Sequence, residues 1–246
     1  MAVFLKFTDW LYIKRPVFCC NWFKISSFDF YDLPMSTLLK RNTLIFILLI
    51  LVAAFSYLSF FVARHPIWNF DIKTSLLIQH YQATWLDKVM LAISFFGELP
   101  YSLLSVVIVA AIFYWKKYKR EGLYMASVLL SGLIILGIKN IINRPRPTAF
   151  YVRLVEVNRF QSYPSGHVLS YTLFFGFLII LMNTLKGIHK ATRVTFTYLS
   201  AFLIITIAPS RIYLGAHWFT DTVGGFLLGL ICLFPLCYFY FRNKAA

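Results

Sequence analysis

The sequence predicts an all-α integral membrane protein with six transmembrane helices. Three observations carry that expectation. The 246 residues are 60% hydrophobic and 13% charged, with a mean hydropathy of +0.72, whereas soluble domains carry roughly 25% charged residues. Apolar runs recur at membrane-spanning length. The basic residues between those runs fall on alternate sides, as the positive-inside rule demands.

Taken in order, the first run is Leu44–Ala63, about 20 residues without a charge, enough for a helix to cross ~30 Å of hydrocarbon. The second lies within Leu86–Trp115 and is interrupted by Gly97-Glu98-Leu99-Pro100. At 1.5 Å per residue it is ~45 Å long and overshoots the bilayer. Glu98 is therefore expected near the outer interface, although an acid at membrane depth is a functional candidate by default. The third span covers about Gly122–Ile142, and the fourth follows His167 to about Leu185. The fifth covers about Val194–Pro209, and the sixth about Phe219–Phe241. The chain thus divides into an N-terminal cytoplasmic or interfacial segment (1–43), a six-helix membrane domain (44–241) and a cytoplasmic tail (242–246).

Charge orients the spans. Lys6, Lys14, Arg15, Lys24, Lys40 and Arg41 precede the first span, and Lys116, Lys117, Lys119 and Arg120 follow the second. Lys186, Lys190 and Arg193 follow the fourth, and Arg242 and Lys244 follow the sixth. These ends belong in the cytoplasm, with both termini. Loops 64–86, 144–166 and 210–218 then face outward. The formal charge of +15 is a topology signal that also suits anionic lipid. Nucleic acid is not an expected partner; membrane lipids are. Residues 1–34 lack the clean apolar core of a cleavable signal peptide. Their aromatic and basic content suits the membrane surface, and Met35 is an alternative start. Cys19 and Cys20 are adjacent, and Cys232 and Cys237 sit in an apolar run. Neither pair has zinc-site spacing with histidine, although Cys19 or Cys20 is open to acylation.

Three fragments carry the chemistry. Lys139 lies on the last turns of the third helix, and Arg146-Pro147 follows after Pro145, in a stiff segment that proline bars from helix. An Arg fork and a Lys point charge suit phosphate oxygens; taken alone, snorkelling cations explain them too. Pro164-Ser165-Gly166-His167 directly precedes an apolar helix. Ser165 is a favoured N-cap at the positive helix end, a ready anion site, and Gly166 admits close approach of a ligand to the backbone. A plain helix cap is the competing reading. Third, Ser210-Arg211 precedes His217 and Asp221, four apart at the start of the sixth helix. A carboxylate there can hold one ring nitrogen and leave the other as nucleophile or base. A structural His–Asp pair explains that fragment alone, but not the other two. Only five histidines and nine acidic residues exist in the chain, so chance assembly of the three fragments on one outward face is improbable.

The pattern Lys139-x6-Arg146-Pro147, Pro164-Ser165-Gly166-His167, Ser210-Arg211-x5-His217-x3-Asp221 resembles the three-part signature of the type 2 phosphatidic acid phosphatase superfamily. The similarity covers roughly residues 44–241, and long apolar spans with short loops favour its membrane lipid-phosphatase branch. Arg144 duplicates the Arg-Pro element, but the spacing from Lys139 gives the family role to Arg146. The resemblance implies that His217 attacks phosphorus, Asp221 orients it, and His167 serves the leaving oxygen and then water. It implies that Lys139, Arg146, Ser165, Gly166 and Arg211 bind the substrate phosphate. The active site is thus expected at the exoplasmic ends of helices 3–6, with no cofactor: no carboxylate cluster suits Mg²⁺ and no histidine set suits zinc.

The expected function is hydrolysis of lipid phosphate monoesters or pyrophosphates, with phosphatidate, phosphatidylglycerol phosphate, undecaprenyl pyrophosphate and lipid A phosphate as candidates. Lipid-to-lipid phosphotransfer, or a non-catalytic lipid-binding or transport role on the same fold, are the alternatives. The absence of an Asn-x-Ser/Thr site favours a bacterial cytoplasmic membrane. Oligomeric state leaves no signal in the sequence.

Overall fold

A computed structural model describes residues 38–157 and 160–242. The expectations for residues 1–37, including a surface-lying segment and acylation at Cys19 or Cys20, lie outside the described residues, as does Lys244. Residues 38–44 are the first turns of α1, and residues 45–246 contain the compact unit that carries the site.

Nine α-helices occur among the described residues: α1 (Leu38–Arg64), α2 (Asn69–Ile78), α3 (Thr84–Ser94), α4 (Tyr101–Trp115), α5 (Lys119–Ser127), α6 (Ser131–Ile142), α7 (Gly166–Thr184), α8 (Lys190–Tyr213) and α9 (Phe219–Arg242). Five helical stretches have the length and apolarity of a membrane span: Asn42–Arg64, Lys119–Ile142, Gly166–Thr184, Lys190–Tyr213 and Phe219–Arg242. The pair Thr84–Gly97 and Tyr101–Trp115, bent by 58°, completes six when counted as one span. The bend falls at the Gly97-Glu98-Leu99-Pro100 interruption, where a short 3₁₀ turn (Phe95–Gly97) ends α3 and Pro100 caps α4.

The core centres on α7, whose sequence is apolar all round and is therefore suited to burial on every face. Of its apolar window 61% lies inside the protein, against 6% for the window within Asn42–Arg64 of α1. α7 packs chiefly on α8 and α9. Phe177, Leu181, Met125, Ile207 and Tyr240 fill the resulting cluster. The α7–α9 contact is close because Gly225 faces the start of α7. A Cβ at Gly225 would lie 2.5 Å from the Ser165 carbonyl oxygen, so any larger residue must push the two helix starts apart.

Two local features depart from the sequence expectation. The loop 64–86 contains a helix, α2, whose short length hides it from a search for membrane spans; it buries Asp71 and Ser75. The fifth span also does not stop at Pro209 but continues to Tyr213, so Ser210 and Arg211 belong to a helical turn rather than a loop. Proline removes only its own N–H and crowds the preceding turn. Here the following turn is tied elsewhere: Ser210 Oγ donates to the Met90 carbonyl at 2.7 Å, and Leu214 N–H closes on Ser210 O at 3.0 Å.

Candidate active site

The N-terminus of α9 anchors the site. The first turn of any helix leaves N–H groups without intrahelical partners, and here two carboxylates take them. Asp221 Oδ2 accepts from the Trp218 N–H at 2.8 Å. Asp71, from α2, accepts from the Thr220 N–H at 2.9 Å and from the Thr220 hydroxyl at 2.7 Å. Arg144 lies between these acids, 2.7 Å from Asp71 Oδ2 and 2.5 Å from Asp221 Oδ1. It also donates to Thr220 Oγ1 at 2.7 Å and to the Pro66 carbonyl at 2.8 Å. Ser162 donates to Asp221 Oδ2. All five side chains are buried, and such a network is favourable only because each charge is paired and hydrogen-bonded.

Asp221 thereby faces His217 with a fixed carboxylate. His217 lies in the turn before α9 rather than on the helix itself, and its Nδ1 is 3.5 Å from Asp221 Oδ2. That separation is long for a hydrogen bond, and Nδ1 has no closer partner among the described residues. The other ring nitrogen, Nε2, is 3.4 Å from Arg146 Nη1. Burial, and then the charges of Arg146, Arg211, Lys139 and His167, push the His217 ring well below the ordinary imidazole range. These surroundings favour the neutral form of the His217 ring.

Cations gather opposite. Arg146 donates to the Ala216 carbonyl at 2.7 Å and to the Phe160 carbonyl at 2.5 Å. Burial and then Arg211 lower its guanidinium to about 10, which leaves it charged at neutral pH. Lys139, on the last turn of α6, is buried and donates to the Gln161 carbonyl. Arg211 is 0% exposed. It takes Glu156 in a two-pronged pair at 2.7 and 2.8 Å and donates to Ser94 Oγ at 2.8 Å. The loop bearing Glu156 is fastened to the end of α8, where the Val155 and Glu156 N–H groups donate to the Leu214 carbonyl at 3.0 and 3.2 Å.

The Pro-Ser-Gly-His fragment completes the arrangement. Ser165 occupies the N-cap position of α7, and its N–H donates to the Asp221 carbonyl at 3.0 Å. Its hydroxyl does not cap the helix; it is fully buried without a partner among the described residues. A Cβ at Gly166 would meet only Ile135, at 3.4 Å, so protein packing leaves that backbone approachable. His167 Nε2 lies 3.0 Å from Glu98 Oε1.

The eight residues singled out from the sequence therefore lie around the starts of α7 and α9 and the ends of α6 and α8. Sequence reasoning missed Asp71, Ser162, Thr220 and Glu156, and gave Arg144 no part. Asp71 and Glu156 had one available signal, as rare acids on the face expected to hold the site. Nothing in the sequence pairs Asp71 with Arg144.

Comparison with known proteins agrees with this architecture. The family model of the PAP2 superfamily matches residues 120–245, which contain all three motif fragments, and the chain belongs to that superfamily. Phosphatidylglycerophosphatase B of Bacillus subtilis is 30% identical over 164 residues, covering 66% of this chain and 77% of that protein. An undecaprenyl-diphosphatase of Sulfolobus acidocaldarius is 24% identical over 165 residues, covering 65% and 74%. Among solved structures, the transmembrane PAP2-type phosphatidylglycerolphosphate phosphatase of Bacillus subtilis superposes with a TM-score of 0.70 at 23% identity, over 79% of this chain and 96% of that one. The relatives are lipid phosphatases of PAP2 type, and the shared fold is that of a transmembrane phosphatase.

Proposed function

We propose that this protein is a membrane phosphatase that hydrolyses lipid phosphate monoesters or diphosphates through a phosphohistidine at His217. The observation that carries this reading is the disposition of His217: Nδ1 turned to the buried Asp221, and Nε2 turned to Arg146 among the cations. Nε2 forms the bond to phosphorus as the ester P–O bond breaks, and His167 protonates the departing oxygen. In the second half, water attacks phosphorus, the N–P bond breaks, and the water proton passes to His167. Lys139, Arg146 and Arg211 take the charge of the phosphoryl oxygens, with the Ser165 hydroxyl and Gly166 N–H as neutral donors. Phosphoryl transfer asks for positioning and charge stabilisation above all, and fixed cations supply both.

Support for the lipid substrate comes from the relatives. Phosphatidylglycerol phosphate and undecaprenyl pyrophosphate are the first candidates, since the similar proteins are named for them. Phosphatidate and lipid A phosphate follow. The reaction is metal-independent in this reading, because the cations of the chain stand where a metal would. The positive-inside bias supports a site on the outer face of the membrane, and the lack of an Asn-x-Ser/Thr site supports a bacterial cytoplasmic membrane. The test is phosphate release from a panel of purified lipid phosphates by the detergent-solubilised protein, with His217→Ala alongside. Release by the wild type and none by His217→Ala is expected; equal rates overturn the reading. Phosphate recovered on an acceptor lipid instead of free in solution would indicate a phosphotransferase.

A further inference from the structure

The break in the second span is packed directly against His167. A Cβ added at Gly97 would lie 2.2 Å from His167 Cδ2, 2.7 Å from Cγ and 3.0 Å from Nε2, so only glycine lets the chain approach the Cδ2 side of the ring. The next residue, Glu98, brings Oε1 to 3.0 Å from the same Nε2. Glu98 is itself steadied by Arg211, 3.6 Å away, and Arg211 is fixed from the same corner by Ser94. One turn along α7, the Tyr171 hydroxyl donates to the Ile93 carbonyl and fastens the corner to the helix that carries His167. The Cδ2–Nε2 edge of the imidazole is thus covered by Gly97 and Glu98. Nδ1 is the ring vertex opposite that edge.

We propose that Glu98 is a positioning residue for His167: its carboxylate accepts the Nε2–H and so leaves Nδ1 as the atom that exchanges protons with the substrate. This rests on the reading of the site as a phosphatase. The proton count closes on that assignment. The doubly protonated ring gives its Nδ1 proton to the leaving oxygen and becomes the neutral Nε2–H form, which Glu98 holds. Nδ1 then takes a proton from the attacking water, and the doubly protonated ring is restored. The arrangement repeats on the second histidine what Asp221 does for the first, with a carboxylate on one nitrogen fixing the work of the other. Glu98 comes from a different span and lies outside all three motif fragments, so motif reading leaves it without a partner.

The dependence on leaving group tests this. Protonating the leaving oxygen matters for an alkyl ester and little for a nitro-substituted aryl ester, which departs as a stable anion. kcat/KM is measured for two phosphate monoesters with the same alkyl tail, one of each kind; it reports steps up to departure of the leaving group and excludes hydrolysis of the intermediate. Glu98→Gln is expected to lose about 10²-fold on the alkyl ester, the scale of general acid catalysis, and at least ten-fold less on the aryl ester. Glu98→Asp, which keeps the charge, regains part of the alkyl-ester rate. The ratio of the two rates is internal to each preparation, so misfolded protein cancels. A ratio unchanged from wild type in Glu98→Gln overturns the proposal, as does Glu98→Asp performing no better than Glu98→Gln. His217→Ala separates the two claims: if it retains activity, the reading of the site has failed, whatever Glu98 does.

Discussion

His217 concentrates the account at the scale of one residue. Its imidazole is buried among cations and pushed well below the ordinary range. Such a ring is neutral when folded, whereas the unfolded ring titrates near ~6.5. As pH falls through that value the unfolded state takes up a proton that the folded site refuses, and stability is lost. Replacing His217 by Gln removes this contribution. The melting temperature should therefore drop less between about pH 7.5 and about pH 5.5 in His217→Gln than in the wild type. Equal drops in the two proteins contradict the buried, neutral assignment. Asp221 belongs to the same scale: Asp221→Asn keeps the shape but forfeits the charge facing Nδ1, and turnover should fall by about 10²-fold or more. Near wild-type turnover of Asp221→Asn on a lipid phosphate would remove Asp221 from the mechanism.

At the scale of the element, the start of α9 shows what the sequence could and could not disclose. His217 and Asp221 were legible because four-residue spacing is a local signal, although the pair meets across a turn rather than along a helix face. The helix ends that carry Lys139 and Ser165 were legible because apolar runs have edges, whereas Arg211 was placed in a loop because Pro209 reads as the end of its run. The Arg144 bridge was not, since it joins α2 to α9 through partners 73 and 77 residues away, and no periodicity encodes such a contact. α2 itself was read as loop because it is too short to announce a span. The bridge makes a sharp prediction. Arg144→Leu strands two buried acids and should cost about 3–5 kcal/mol, whereas Arg153→Ala breaks the partly exposed pair with Asp87 for less than about 1 kcal/mol. Urea or thermal unfolding in one detergent measures both, and comparable losses would contradict the structural role given to Arg144. Packing adds a second test. Gly225→Val must displace the Ser165 carbonyl, so activity should fall steeply while the protein still inserts into the membrane; unaltered activity would show that the α7–α9 approach is not needed.

At the scale of the whole molecule, six apolar stretches and one polar end make the functional statement, and both were visible in composition and charge. The broken second span was also visible as an interruption, but the use made of it was not, because the meeting of Glu98 with His167 depends on a 58° bend that brings two spans together. Orientation can be tested directly. A single cysteine placed at the exposed Phe150, with the four native cysteines replaced by serine, should react with a membrane-impermeant thiol reagent in intact spheroplasts. Labelling only after permeabilisation reverses the topology. Chelation is a further test at this scale: turnover should persist in EDTA, and loss of turnover that a divalent cation restores would overturn metal-independent chemistry.

The central claim is that phosphate passes covalently through His217. Its most direct test is to mix the purified protein with a ³²P-labelled lipid phosphate, quench within the first turnovers, and locate the label by mass spectrometry. The account predicts an acid-labile, base-stable phosphoryl group on His217 in the wild type and none in His217→Ala. Label on another residue, or rapid turnover with no labelled protein at any time, would contradict it.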